Sequence, residues 1–409
     1  MNPFCISVLL LVTNLSYAIS PLDKVMKQAQ KRSPLEDNVR VLSDEIGGRL
    51  PGTPALRRAV DWSVKAFKQA GAEQVFIEPF TMQVGWQEGP TQIQVEPPNN
   101  FTVRAVSLGW SPALLTQTPV RVVDVGFGSA KEFQQAGELA GAVLLLHSKV
   151  MKTWDDLFDE YLDLPPIVER AVRAKATAIA LISRRPRALL YRHMNVGPNQ
   201  IDVLPMFIVA REDGLRISRL LAQQKPLIMN IDMPNQISPA FTSWNVIAEI
   251  KGREKPEEWV LLGAHLDSWD LGTGALDNGC NVALVIDAFR AIKKAGIKPR
   301  RSIRFALFSG EEQGFIGSHA YVLSHYKEMN KAAGVVILDA GSGAITGFSL
   351  NGRKDILTAS QKIIAPLRGL GVKKNTVDAD VGTDNLSFLL AGLPNLLMLR
   401  TVNFKLPYF

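Results

Sequence analysis

Cysteine is nearly missing from this chain: its 409 residues include two, Cys5 and Cys280. A disulfide-stapled scaffold is thereby excluded, and the fold must rely on a large core. Long apolar runs are scarce too. Only Phe4 to Leu15 is apolar enough to meet a membrane, and it is too short to span one. No heptad, collagen or solenoid period appears, which removes the fibrous and repeat classes. The net charge of +7 (pI near 9.3) is scattered, with no basic helix and no basic–aromatic interleaving. Nucleic acid is therefore not an expected partner, and the charge reads as a soluble basic surface. What remains is 46% apolar and 21% charged, a globular composition and not a disordered one. At roughly 100–200 residues per domain, the length fits two domains or one elaborated domain.

The apolar run is followed by Ser16-Tyr17-Ala18, whose small residues at −3 and −1 fit cleavage after Ala18. Residues 1–18 thus read as a secretory signal peptide, the alternative being a buried N-terminal helix. Cleavage would leave Cys280 as the sole thiol of an exported protein. Triplets at Asn100-Phe101-Thr102 and Asn385-Leu386-Ser387 are compatible with glycosylation in that pathway.

Three textures follow. Residues 19–117 begin helical, break at Gly47-Gly48-Arg49-Leu50-Pro51-Gly52, and resume with Ala59, Val60, Trp62, Ala66 and Phe67 at helical spacing. Gln74 to Val95 is rich in β-formers and predicts paired strands. Residues 118–238 alternate short apolar runs with helical stretches around a charged, Pro-rich loop from Asp155 to Arg192, and read as an inserted α/β module. His147 and His193 within it carry no ligand spacing and read as structural. Residues 239–409 alternate strands (Val246–Ile250, Val260–Ala264, Ile303–Phe308, Val335–Asp339) with helices over Asn281–Lys294 and Gly314–His325. The pattern predicts an α/β fold with a mixed, mostly parallel sheet and helices on both faces. Ligands of such sheets collect at the carboxyl ends of the strands.

Polar residues with ligand chemistry stand at those ends. His265-Leu266-Asp267 follows one strand, Glu311-Glu312 another and Asp339 a third. Asp277-Asn278-Gly279 precedes a helix that it should cap. Taken singly, an Asp before a helix is a cap and paired glutamates are a solvated face. Together, five carboxylates at one sheet edge would repel one another unless cations neutralise them. One imidazole among carboxylates suits zinc, and a shared carboxylate suits a pair of zincs.

The linked motifs His265-Leu266-Asp267-Ser268-Trp269-Asp270, Gly274-Ala275-Leu276-Asp277-Asn278-Gly279, Ser309-Gly310-Glu311-Glu312-Gln313-Gly314 and Leu338-Asp339 resemble the M28 family of zinc peptidases. The resemblance extends to the Gly47–Pro54 loop and to a middle insert similar to a protease-associated domain. It implies two zinc ions: His265 and Asp339 on the first, Asp277 bridging both, and Glu312 on the second. It implies Glu311 as general base and Asp267 as the partner that accepts a hydrogen bond from His265 and fixes its tautomer. Small peptides, dipeptides foremost, are the implied substrates, and a homodimer the implied assembly. The family's second zinc takes a further histidine beyond the aspartate matched by Asp339. The 70 residues after Asp339 contain none, so the expectation is a shortened C-terminus and a second site lacking one ligand. His319 and His325, on the helix after Glu312, should point away and read as structural.

Overall fold

The computed structural model describes residues 20–401 except Trp154, Ala340 and Asp380; the expected signal segment lies outside them. Two sheets organise the chain. The first has eight strands in the spatial order Val75–Met82, Phe241–Ile250, Arg301–Phe308, Lys255–His265, Ala332–Ile337, Asn395–Arg400, Ile345–Ser349 and Lys374–Thr376. The four central strands, from Arg301–Phe308 to Asn395–Arg400, run parallel, and antiparallel strands flank them. All four central strands therefore end at one edge.

The middles of these strands are apolar because both faces of the sheet are covered. Period-2 alternation divides their side chains between two cores. Val246, Ala248, Phe305 and Leu307 pack with Leu56, Val60, Phe67, Val282, Ile286 and Phe289. Ile247, Ala306, Phe308, Leu261 and Val335 pack on the other face with Tyr321, Val322 and Phe388. The helix Pro54–Gln69 shows how sequence builds one layer. The Thr53 hydroxyl accepts from the Leu56 N–H, and Pro54 occupies the first turn, where its missing N–H costs nothing. Leu56, Ala59, Val60, Ala66 and Phe67 then form the buried stripe. Burying Phe67 against Phe289, with ring centroids 5.6 Å apart, contributes on the order of 2–3 kcal/mol. Gly71, at φ 101°, ends the helix where an L side chain would be strained.

The second sheet follows the order Phe101–Val103, Gln92–Val95, Ile228–Met233, Val120–Asp124, Val143–Leu146, Ala178–Ile182, Met206–Val209 and Ala105–Ser107, with Leu114–Leu115 beside Ile228–Met233. It has its own cores on two faces.

Three sequence readings change. Gln74 to Val95 does form strands, but not with one another: Val75–Met82 joins the first sheet, Gly85–Gln87 pairs Gln236–Ser238, and Gln92–Val95 joins the second sheet. Local propensity marks a strand, whereas burial against distant partners chooses its neighbour. The second sheet also recruits strands from Gln92 onward, ahead of the boundary at 118. Part of the expected loop Asp155–Arg192 is the helix Asp155–Arg173, with Pro165 and Pro166 inside it. Both prolines are exposed, while Leu164, Ile167, Val168 and Ala171 are buried on the opposite stripe. The prolines' missing N–H bonds thus fall on the exposed side of the helix, and the buried stripe outweighs the loss.

Candidate metal centre

The carboxyl edge of the first sheet gathers the ligand-type residues. His265 closes the strand Lys255–His265 and is 1% exposed. The Leu266 N–H donates to the Phe308 carbonyl (2.6 Å) and the Leu338 N–H to the Gly263 carbonyl (2.8 Å), which aligns the three strand ends. Beyond Phe308 the chain turns at Gly310 (φ 78°) and delivers Glu311 and Glu312. Beyond Ile337 it delivers Asp339.

The His265 Nε2 atom lies 3.1 Å from Asp277 Oδ1, 3.5 Å from Asp339 Oδ1 and 4.0 Å from Glu311 Oε2. None of these contacts is aligned as a hydrogen bond, so a buried ring nitrogen is left without a partner. Two groups of possible ligands meet at it: His265 with Glu311 and Asp339, and His265 with Asp277 and Glu312, their ligand atoms within 4.8 Å of one another in each group. An orphaned imidazole nitrogen facing several carboxylates is a donor set that fits zinc. Burial first, then the neighbouring carboxylates, push the carboxyl groups of Glu311 and Glu312 well above the usual range. Burial alone would lower the imidazole, but Asp339, Glu311, Asp267 and Asp277 outweigh it and hold His265 well above its ordinary value. Without cations this edge would hold its charge only by keeping protons.

Two expected roles need correction. His265 Nδ1 is 3.0 Å from the main-chain carbonyl of Asp267, and the Asp267 carboxylate stands farther off at 3.7 Å. That carboxylate accepts instead from the N–H groups of Glu311 (3.3 Å) and Glu312 (3.4 Å). Asp267 therefore fixes the imidazole through its backbone and the glutamate turn through its side chain. Asp277-Asn278-Gly279 does precede the helix, with Gly279 at its N-cap position, but no side chain of the segment bonds the helix N-terminus. Asn278 is engaged elsewhere, donating to the Leu338 carbonyl (3.0 Å), and Asn281 donates to it (2.6 Å). Asp277 is left free to turn toward His265.

His319 is exposed, and His325 bonds Glu78 at 3.0 Å; neither belongs to the two ligand groups. His147 bonds Asp124 at 2.9 Å, and His193 bonds Glu160 at 2.7 Å within the second sheet's lobe. Asn100 is exposed, but Asn385 is fully buried, so the second glycosylation triplet does not lie on the surface.

Sequence reading missed other participants. The Thr383 hydroxyl donates to Asp339 Oδ2. Asp384 is wholly buried, and burial raises its carboxyl pKa to about 7. Arg49 is wholly buried beside the loop between His265 and Asp277. Its signal was a lone long cation inside a glycine-rich break. The second lobe reaches the loop between His265 and Asp277 through Arg192, which bonds Asp270 (2.7 Å), and through Trp110, whose ring meets that of Trp269 edge-on.

Residues 245–408 match the model of peptidase family M28. Carboxypeptidase Q of Xenopus laevis is 25% identical over 369 residues, 90% of this chain and 77% of that protein. A crystal structure of a peptidase M28 precursor from Shewanella amazonensis is 27% identical, with a TM-score of 0.81, over 92% of this chain and 86% of that one. A zinc aminopeptidase from Bacillus subtilis shares the fold at 18% identity, TM-score 0.71, over 91% of this chain and 87% of its own.

Proposed function

We propose that this chain, whose residues 245–408 match peptidase family M28, is a metallopeptidase that hydrolyses small peptides, dipeptides foremost, with two zinc ions. The observation that carries the reading is the buried Nε2 of His265, unpartnered among carboxylates. The Nδ1–H donated to the Asp267 carbonyl leaves Nε2 as the lone-pair nitrogen, the tautomer a metal needs. His265, Asp339 and Asp277 would hold the first zinc, with Asp277 shared. Glu312 and Asp277 would hold the second more weakly, because among the described residues that set offers no imidazole besides His265. Zinc, when bound, brings the pKa of water to about 7 and polarises the scissile carbonyl.

Glu311 is the residue for proton transfer. Its carboxylate sits in the enclosed end of the cluster, 9% exposed, with Oε2 4.0 Å from His265 Nε2. There it accepts a proton from the attacking water and returns it to the leaving amine. Asp267 holds the main chain of Glu311 and Glu312, so the base and the neighbouring ligand share one anchor. The run Phe4–Leu15 with Ser16-Tyr17-Ala18 supports export through the secretory pathway, which N-terminal sequencing of the exported protein tests. Sedimentation tests the homodimer.

One observation favours a second reading, a binding protein that retains one metal: both ligand groups draw on the same histidine. Zinc stoichiometry beside dipeptide turnover separates the two. One tight and one exchangeable zinc with measurable turnover supports the peptidase. One zinc with no turnover of any dipeptide supports the binding protein. A protein that takes up no zinc overturns both.

A further inference from the structure

The geometry points to Arg49 as a positioning residue of the metal centre, one whose guanidinium clasps both ends of the loop from His265 to Asp277 and sets the separation of those two ligands. This rests on the metal-centre reading above. The side chain is 0% exposed. Its Nε donates to the Leu266 carbonyl (2.7 Å), next to His265. Its Nη1 and Nη2 donate to the carbonyls of Thr273 (3.1 Å) and Gly274 (2.8 Å), at the far end of the loop just before Asp277. Nη1 also reaches the carbonyls of Gly47 (2.9 Å) and Leu42 (3.3 Å), tying the loop to the N-terminal helices. The Arg49 backbone N–H donates to Ser268 Oγ (3.1 Å).

Buried arginines ordinarily face a carboxylate, because an unpaired buried charge is costly. Arg290 bonds Asp287, and Arg192 bonds Glu88 and Asp270. Among the described residues no carboxylate bonds Arg49; every side-chain acceptor is a main-chain carbonyl. The compensating charge is the acid cluster itself, since Asp267, Glu312 and Asp277 act on it through space. A planar fork with fixed donor directions can hold three carbonyls in one arrangement, which an ammonium on a flexible stem cannot. The loop has no slack to move instead. A Cβ on Gly274 would stand 2.3 Å from Ser268 Oγ and 2.6 Å from Arg49 Nη2, and one on Gly48 would stand 2.5 Å from Asp270 Cα.

The test compares the full chain with Arg49→Lys, and uses Arg192→Lys as a control on the tip of the same loop. Zinc affinity is measured by chelator competition at a temperature where circular dichroism shows each protein folded, and ligand geometry by the visible spectrum of the cobalt-loaded form. Arg49→Lys should weaken the tight zinc about tenfold or more and alter the cobalt spectrum, while Arg192→Lys leaves both close to wild type. Wild-type affinity and spectrum in folded Arg49→Lys would overturn the inference and leave Arg49 a stabilising residue only. Should Arg49→Lys not fold, Gly274→Ala, which displaces Nη2 from the acceptor side, is judged by the same two readouts. Failure of the wild-type chain itself to take up zinc would instead overturn the metal-centre reading.

Discussion

Glu160 and Glu311 are both buried, 3% and 9% exposed, yet their surroundings drive them in opposite directions. Glu160, in the second lobe, bonds His193 Nε2 (2.7 Å) and the Tyr191 hydroxyl (2.7 Å) and forms an ion pair with Arg184 (2.7 Å). Burial would raise its carboxyl, but His193, Tyr191 and Arg184 win and hold it below the ordinary range. Glu311, at the first sheet's carboxyl edge, has other carboxylates for neighbours and a single imidazole, and it is raised. The Glu160 cluster settles its buried charge internally. The Glu311 cluster leaves its charge for something the chain does not supply. That difference, more than burial or charge count, separates a structural ionic cluster from a functional one.

The comparison can be broken most severely at Glu311. Glu311→Gln should keep zinc and lose about 10²- to 10⁴-fold in turnover, because the proton acceptor goes while the ligands stay. Metal analysis that finds the zinc gone would make Glu311 a ligand, as its place in the His265–Asp339 group allows, and would reverse its role with Glu312. Asp277→Asn should act the other way and lose metal first, since a neutral amide bridges two cations poorly.

The matching change in the second lobe should touch stability and not metal. Glu160→Gln leaves buried His193 and half-buried Arg184 without their counter-charge and should cost on the order of 3–5 kcal/mol. Zinc affinity of the folded variant should match wild type; a drop would mean the two clusters are not separable. Denaturant unfolding with and without zinc measures both.

Acidity sharpens the contrast further. Glu311 and Glu312 bind protons more tightly folded than unfolded, so in the metal-free protein their contribution to stability falls as pH rises above about 4.5. Glu160 has the opposite sign: its contribution is present above that pH and is lost as pH falls through its lowered folded value. Zinc competes with the protons on the first cluster, so its stabilising effect should widen from pH 5 to pH 8. Melting curves with a gap independent of pH would contradict this. The smallest effect belongs to Asp202, a second-lobe carboxyl whose Oδ2 is buried without a partner and which burial raises to about 7. Asp202→Asn should melt like wild type at pH 4 and above it at pH 8. Equal melting at both would show that this carboxylate is hydrated in solution.

Much of the site was legible because it is local in the chain. An apolar strand followed at once by His265-Leu266-Asp267, Glu311-Glu312 or Asp339 places each residue at a strand end. Parallel alignment of the strands brings them to one edge whatever the loops do. The alternation that sends Phe305 and Ala306 to opposite cores is equally local, and it identifies a sheet covered on both faces. What tertiary structure alone decided is which distant groups answer them. Arg49 meets Leu266 across 217 residues of sequence, and Thr383 meets Asp339 across 44. Asp267 turns its carboxylate to the glutamate turn and its carbonyl to His265, a division that spacing does not encode. The strand Val75–Met82 left its sequence neighbours for Phe241–Ile250, and two prolines sit within a helix because its other face is buried. Periodicity and strand-end position are properties of a few consecutive residues and are written in the chain. Pairing, hydrogen-bond partner and burial depend on residues far apart in sequence, and they are fixed only when the two cores and the loop between His265 and Asp277 close together.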